Sequence, residues 1–164
     1  MRIYLASAWG RREEIASVAY MLENMGHRIT SSWLTNEKDS STFPVNGNAA
    51  VLDDEAKEAK HQTNALQDVQ DVLTADAIVR FSDAPEMVWP LVPARLLSGA
   101  RNFEFGLMYA ADFYNNFLAW GRKLMFVVDG KQNIFDRLPE VMHLKDVNQL
   151  YEVMSRAAEL ERGE

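Results

Sequence analysis

The chain has 164 residues, 48% of them hydrophobic and none of them cysteine, and it carries a formal net charge of −7. That length suits one domain, residues 1–164, with a full core and is short for two. The acidic balance argues against a surface that tracks duplex DNA or RNA, which works by neutralising many phosphates with Lys and Arg; the lack of cysteine excludes disulfides, zinc–thiolate sites and thiol nucleophiles.

His27, His61 and His143 are scattered without ligand spacing, so no metal is expected. No stretch approaches the ~20 apolar residues of a membrane span, and the first apolar run is too short for a signal peptide. A cytoplasmic protein without a membrane partner is the expectation.

Ile3 to Ala6 is a short apolar run that predicts a buried first strand, followed by Ser7-Ala8-Trp9-Gly10, where small residues and glycine permit a tight turn. Residues 11–25 place Ile15, Val18, Ala19, Leu22 and Met25 on one helical face, with Gly26 as the stop. Arg28 to Leu34 predicts a second strand. Residues 35–50, rich in Ser, Asn, Asp and Gly, predict a long loop of the kind used as lids and binding loops.

Asp53 to about Thr74 predicts a charged helix whose later part buries Leu66, Val69, Val72 and Leu73, and Ala77 to Phe81 predicts a third strand. Ser82 to Gly99 contains Pro85, Pro90 and Pro93 and cannot be one regular element. A helix carrying Glu104 then runs to about Trp120, Lys123 to Val128 predicts a strand, Val141 to Leu144 a short fifth strand, and Asp146 to Glu161 a final helix. This alternation predicts an α/β fold: a single-domain open, mostly parallel five-stranded sheet with helices on both faces, flavodoxin-like or Rossmann-like. In such sheets ligands bind beyond the carboxyl ends of the strands, where the strand order reverses. The segments reaching that edge are Ser7 to Arg12, the loop after Trp33, the Ser82 to Arg101 stretch and the turn after Val128.

Two carboxylates stand near that edge. The string Ser98-Gly99-Ala100-Arg101-Asn102-Phe103-Glu104-Phe105-Gly106 puts Glu104 on the expected opening turn of its helix, where unpaired N–H groups and the macrodipole favour an ionised nucleophile. Glutamates are also common there simply because they stabilise helices, so Glu104 alone does not define a site. Asp68 lies about 40° around its helix from Val72 and about 60° from Ala65, at the boundary of the buried face, while Asp71 points nearer to solvent. A boundary aspartate can be partly desolvated, with a raised pKa suited to passing a proton. An ordinary solvated helical charge gives the same pattern.

Gln67-Asp68-Val69-Gln70-Asp71-Val72-Leu73-Thr74-Ala75-Asp76-Ala77-Ile78-Val79, taken with the Glu104 string, resembles the nucleoside 2-deoxyribosyltransferase superfamily, which includes base-exchanging transferases and deoxynucleoside monophosphate N-glycosidases. Ile3-Tyr4-Leu5-Ala6-Ser7 is similar to its first strand and substrate loop, and Asn133 to Val141 resembles a segment of its phage and actinobacterial members. The resemblance implies Glu104 as the nucleophile at the anomeric carbon, Asp68 as the carboxylate assisting at the sugar or leaving base, and Tyr4 as the tyrosine that orients the nucleophile. It also implies substrate contacts from Ser7, Trp9, Gly10 and Arg11, a 5′-phosphate contact from Ser98, countercharge from Arg11, Arg12 and Arg101, and a place for Asn102, which stands where many relatives have histidine.

On that resemblance the partner is a small-molecule nucleoside or nucleotide, no cofactor is needed, and the protein works as a homo-oligomer, a dimer or higher, whose neighbours complete the pocket. A carboxylate capturing the oxocarbenium-like sugar gives an ester. Attack by a second base then gives transfer, and attack by water gives hydrolysis. A nucleotide-binding module without catalysis, and hydrolysis of another N-ribosyl compound, are the remaining expectations. The missing G-x-G-x-x-G pattern argues against a Rossmann-type dinucleotide site.

Overall fold

The computed structural model describes residues 1–35, 54–82, 99–118, 122–129 and 137–163, with Trp9, 54–57, His61, 99–102 and 116–118 described in backbone only. The strands are β1 (Arg2–Ala6), β2 (Arg28–Ile29), β3 (Ala77–Phe81), β4 (Leu124–Val128) and β5 (Val141–Leu144). The helices are α1 (Arg12–Asn24), α2 (Asp54–Thr74), α3 (Gly99–Leu118) and α4 (Val147–Arg162). All strand pairs are parallel, in the order β2-β1-β3-β4-β5. The order reverses between β1 and β3, where Tyr4 pairs with Ile78 and Ala6 with Arg80. A crevice at the carboxyl ends of these two strands is therefore the expected ligand edge.

Side chains alternate across the sheet and give it two covered faces. Ile3, Leu5, Val79, Phe81, Phe126 and Val128 pack with Ile15, Val18 and Leu22 of α1 and with Leu150 and Met154 of α4. Tyr4, Ala6, Ile78, Met125 and Val127 pack on the other face with Val72 of α2 and with Phe105 and Met108 of α3. Truncating a buried ring such as Phe105 or Phe126 to Ala is worth about 3–5 kcal/mol. Helix α1 ends where Gly26 takes a φ of 95°, a left-handed conformation that lets His27 N–H reach back to the Leu22 carbonyl at 3.2 Å.

Several elements differ from the sequence expectation. The second strand stops at Ile29 instead of Leu34, and Ser32–Leu34 forms a 3-10 turn. Side chains replace the ladder there: Leu5 N–H donates to Ser31 Oγ at 2.6 Å and Trp33 Nε1 donates to the Leu5 carbonyl at 2.8 Å. The inward face of α2 is also rotated. Leu66 and Leu73 are exposed, at 71% and 45%, whereas Asp71 is 6% exposed. The Ser32–Leu34 turn packs on the Asp71 flank of the helix and supplies a donor that the helical pattern alone does not reveal. Helix α3 begins at Gly99, so Glu104 stands in its second turn, and the first turn holds no acidic residue. The expected loops at 35–50 and 82–99 fall almost wholly outside the described residues.

Candidate active site

Tyr4 is the centre of β1 and is fully buried. Its hydroxyl donates to Glu104 Oε1 at 2.9 Å, across a separation of 100 residues. Parallel pairing of β1 with β3 and packing of α3 over β3 and β4 bring the two together. Burial, then the charges of Glu104 and Asp68, the hydrogen bond to Glu104 and the charge of Asp71 all push the phenol far above its ordinary range. Tyr4 is thus a fixed proton donor to Glu104 and not a base. Glu104 lies beyond the first turn, where the dipole's effect has faded, so the helix N-terminus does not supply the ionising field expected from the sequence.

Asp68 and Glu104 line one cavity of about 290 Å³ between α2 and α3, walled by Leu66, Val69, Val72, Phe103 and Leu107. This volume is near the lower end of small-ligand sites. Asp68 is half-buried, and its carboxyl is raised from 3.8 to about 6, by burial first and by the charge of Asp71 second. Asp68 and Glu104 thus share one hollow, and Tyr4, buried behind it, reaches it only through its hydrogen bond to Glu104.

The remaining candidates divide. Ser7 follows β1 at the ligand edge, and its Oγ is buried with no hydrogen-bond partner among the described residues. Gly10 is exposed in the 3-10 turn Trp9–Arg11. Arg11, expected as a countercharge to the substrate, is 7% exposed; its Nε and Nη2 donate to Glu14 at 2.8 and 2.5 Å, its Nη1 to the Ser82 carbonyl, and its guanidinium lies 5.8 Å from the Phe81 ring centre. Arg12 donates through Nε and Nη2 to the Leu34 carbonyl at 3.0 and 2.8 Å. Both arginines thus hold the protein's own loops at this edge. Ser98 lies outside the described residues; Trp9, Arg101 and Asn102 are placed in backbone only.

Two residues were missed by sequence reasoning. Asp71 has no signal in the helical pattern, because the turn that covers it comes from residues 32–34. Arg80 had one: a lone cation inside the apolar strand Ala77–Phe81. It is fully buried on the Tyr4 face of the sheet, with its guanidinium carbon 6.0 Å from the ring centre of Phe105, the neighbour of Glu104. Among the described residues no cluster of three or more His, Asp or Glu side chains is placed to hold a metal, and no helix is long and apolar enough to cross a membrane.

No protein-family model matches the chain, and no curated protein matches it in sequence. Among solved structures, the 2-deoxyribosyltransferase of the psychrotolerant bacterium Bacillus psychrosaccharolyticus aligns over 92% of this chain and 90% of its own, at 12% identity and a TM-score of 0.54. The two share a fold. The Clostridium botulinum CMP N-glycosidase BcmB aligns over 95% of this chain and 99% of its own, at 12% identity and a TM-score of 0.47. At such identity the likeness is one of architecture, so function has to be argued from the side chains in the cavity.

Proposed function

We propose that this protein cleaves the N-glycosidic bond of a 2′-deoxynucleoside or its 5′-monophosphate and transfers the deoxyribosyl group to a second nucleobase. The observation that carries this reading is the Tyr4–Glu104 hydrogen bond at the wall of a cavity that Asp68 also lines. Glu104 attacks the anomeric carbon as the base departs, and Asp68, with its raised pKa, delivers a proton to the leaving base. The bond from Glu104 to the sugar forms as the bond to the base breaks. An incoming base then displaces Glu104 and returns its proton to Asp68, and two inversions leave the configuration retained. Tyr4 fixes the attacking carboxylate in one orientation, which shortens the search for a reactive geometry. The fold shared with a 2-deoxyribosyltransferase supports this choice of substrate class.

The same reading favours a homo-oligomer. Leu66 and Phe103 border the cavity and are 71% and 62% exposed, leaving the mouth of the site walled by apolar side chains that a second copy of the chain would cover.

Incubation with deoxynucleosides and their monophosphates, with and without an acceptor base, followed by chromatography, tests the proposal. Exchange of bases is expected. Release of base regardless of acceptor would make the protein a hydrolase, and saturable binding without product would make it a nucleotide-binding module. Glu104→Gln should lower turnover at least about a thousandfold with the fold intact; wild-type rates in that variant exclude the mechanism.

A further inference from the structure

We propose that Asp71 is a positioning residue for Asp68: clamped between the Ser32–Leu34 turn and Gln67, its carboxylate holds Asp68 in the proton-donating form. This rests on the reading of Asp68 as the donor to the leaving base. Asp71 is 6% exposed, and both of its oxygens are engaged. Oδ2 accepts the Ser32 backbone N–H at 2.8 Å, and Oδ1 accepts Gln67 Nε2 at 2.8 Å. Donors on both oxygens fix the rotamer. The carboxylate therefore stays one helical turn from Asp68, a spacing at which Cβ atoms are about 5–6 Å apart. A like charge at that range, with water largely excluded, opposes ionisation of its neighbour. The charge of Asp71 is the electrostatic cause of the raised Asp68 pKa, second to burial itself.

Among the described residues, Asp71 is the charge that acts on Asp68. Helix α3 faces it across the cavity with Glu104, which is engaged by Tyr4. Strand β1 offers the Tyr4 hydroxyl, and the Ser32–Leu34 turn contributes no titratable side chain. Among the described residues, β3 places the cation Arg80 on the same sheet face, packed on Phe105. The clamp also has a mechanical side. The turn that donates to Asp71 is anchored to β1 through Ser31 and Trp33, so Asp71 ties α2 to the strand that carries Tyr4.

Carboxyl carbon NMR on the full chain follows the titration of Asp68, assigned by its disappearance in Asp68→Asn. The wild-type midpoint is expected at about 6. Asp71→Asn keeps an acceptor for Ser32 N–H but removes the charge, and should lower the midpoint by about one pH unit. Asp71→Glu should leave it within a few tenths of a unit. Base release should follow, with the alkaline limb of the kcat/KM profile of Asp71→Asn displaced downward by about one unit, so that kcat/KM falls about tenfold at pH 7, about twofold at pH 5 and little at pH 4. A purely structural Asp71 would instead scale activity at every pH and leave the midpoint in place. An Asp68 midpoint unmoved by Asp71→Asn, or a wild-type midpoint near the ordinary aspartate value of about 4, overturns the proposal. If Asp71→Asn does not fold, Asp71→Ser is read in the same way. If the midpoint moves but neither wild type nor variant releases base, the coupling stands and the catalytic reading of the cavity fails.

Discussion

Replacing Asp68 by Asn should stabilise the protein at neutral pH and leave its stability unchanged in acid. The Asp68 carboxyl is raised from 3.8 to about 6 by burial and by Asp71. Below about pH 4 it is protonated in the folded and unfolded chains alike, and the two variants are nearly equivalent there. As pH rises through 6 the unfolded chain has already released its proton, while the folded chain must release one into a half-buried site beside a like charge. Stability conferred by the protonated group is therefore lost across pH 4–6. About two pH units at about 1.4 kcal/mol each sets a ceiling near 3 kcal/mol, and solvent screening at a half-exposed carboxylate brings this to about 1–2 kcal/mol. In a chain of this size that is a Tm difference of roughly 3–6 °C. Urea unfolding from pH 4 to 8, followed by circular dichroism, reads it directly. A wild-type protein as stable as Asp68→Asn at pH 7.5, or a difference that does not change with pH, would refute the account of Asp68 as a strained proton donor.

Three further outcomes follow from other contacts. Tyr4→Phe preserves the buried ring but removes the 2.9 Å bond to Glu104, so kcat should fall about 10- to 100-fold with a stability loss of about 1–2 kcal/mol, and wild-type turnover would dismiss the orienting role. Asp112, 4% exposed, accepts the Lys123 backbone N–H at 2.6 Å and Arg122 Nη2 at 3.2 Å; Asp112→Ala should cost about 3 kcal/mol in denaturation, and an unchanged midpoint would show that this buried acid does not hold β4 to α3. Phe103→Glu, at a 62% exposed position beside the cavity, should move the mass measured by analytical ultracentrifugation toward a monomer, and a wild-type protein already monomeric at micromolar concentration rejects the second-copy cover.

Regular elements with a strong local pattern were legible in the sequence. Val141–Leu144 is a strand with the expected limits, and α2 begins one residue from its expected start, because an apolar run or a long helical repeat identifies itself without reference to the rest of the chain. The α/β order and parallel sheet followed from alternation alone. What failed was orientation. A helical wheel ranks Leu66 and Leu73 inside and Asp71 outside on hydrophobicity, yet a distant turn offers Asp71 a backbone donor and leaves the leucines uncovered. Similarly, Gly99-Ala100-Arg101-Asn102 contains nothing that must delay a helix, and α3 starts early enough to remove Glu104 from the dipole's reach.

These two misreadings share a cause that bears on the site itself. Both concern α2 and α3, the helices that wall the cavity, whose neighbours come from segments remote in the chain. Periodicity assumes that the inward face of a helix is its apolar face. Beside the buried Val72, Phe105 and Met108, Asp68, Asp71 and Glu104 are drawn at least partly inward, while apolar Leu66 and Phe103 stand exposed. A fold selected for stability alone would place the leucine and the phenylalanine inward, since burying either contributes about 1.5–3 kcal/mol while each buried acid requires compensation. The inversion is physically sustained by the Tyr4 hydroxyl on Glu104 and by the Ser32 N–H and Gln67 amide on Asp71. Acidic groups drawn inward against the hydrophobic preference of their helices, each with a specific donor or a raised pKa, fit the proposed glycosyl transfer and mark where the pattern rules that succeed elsewhere in the chain fail.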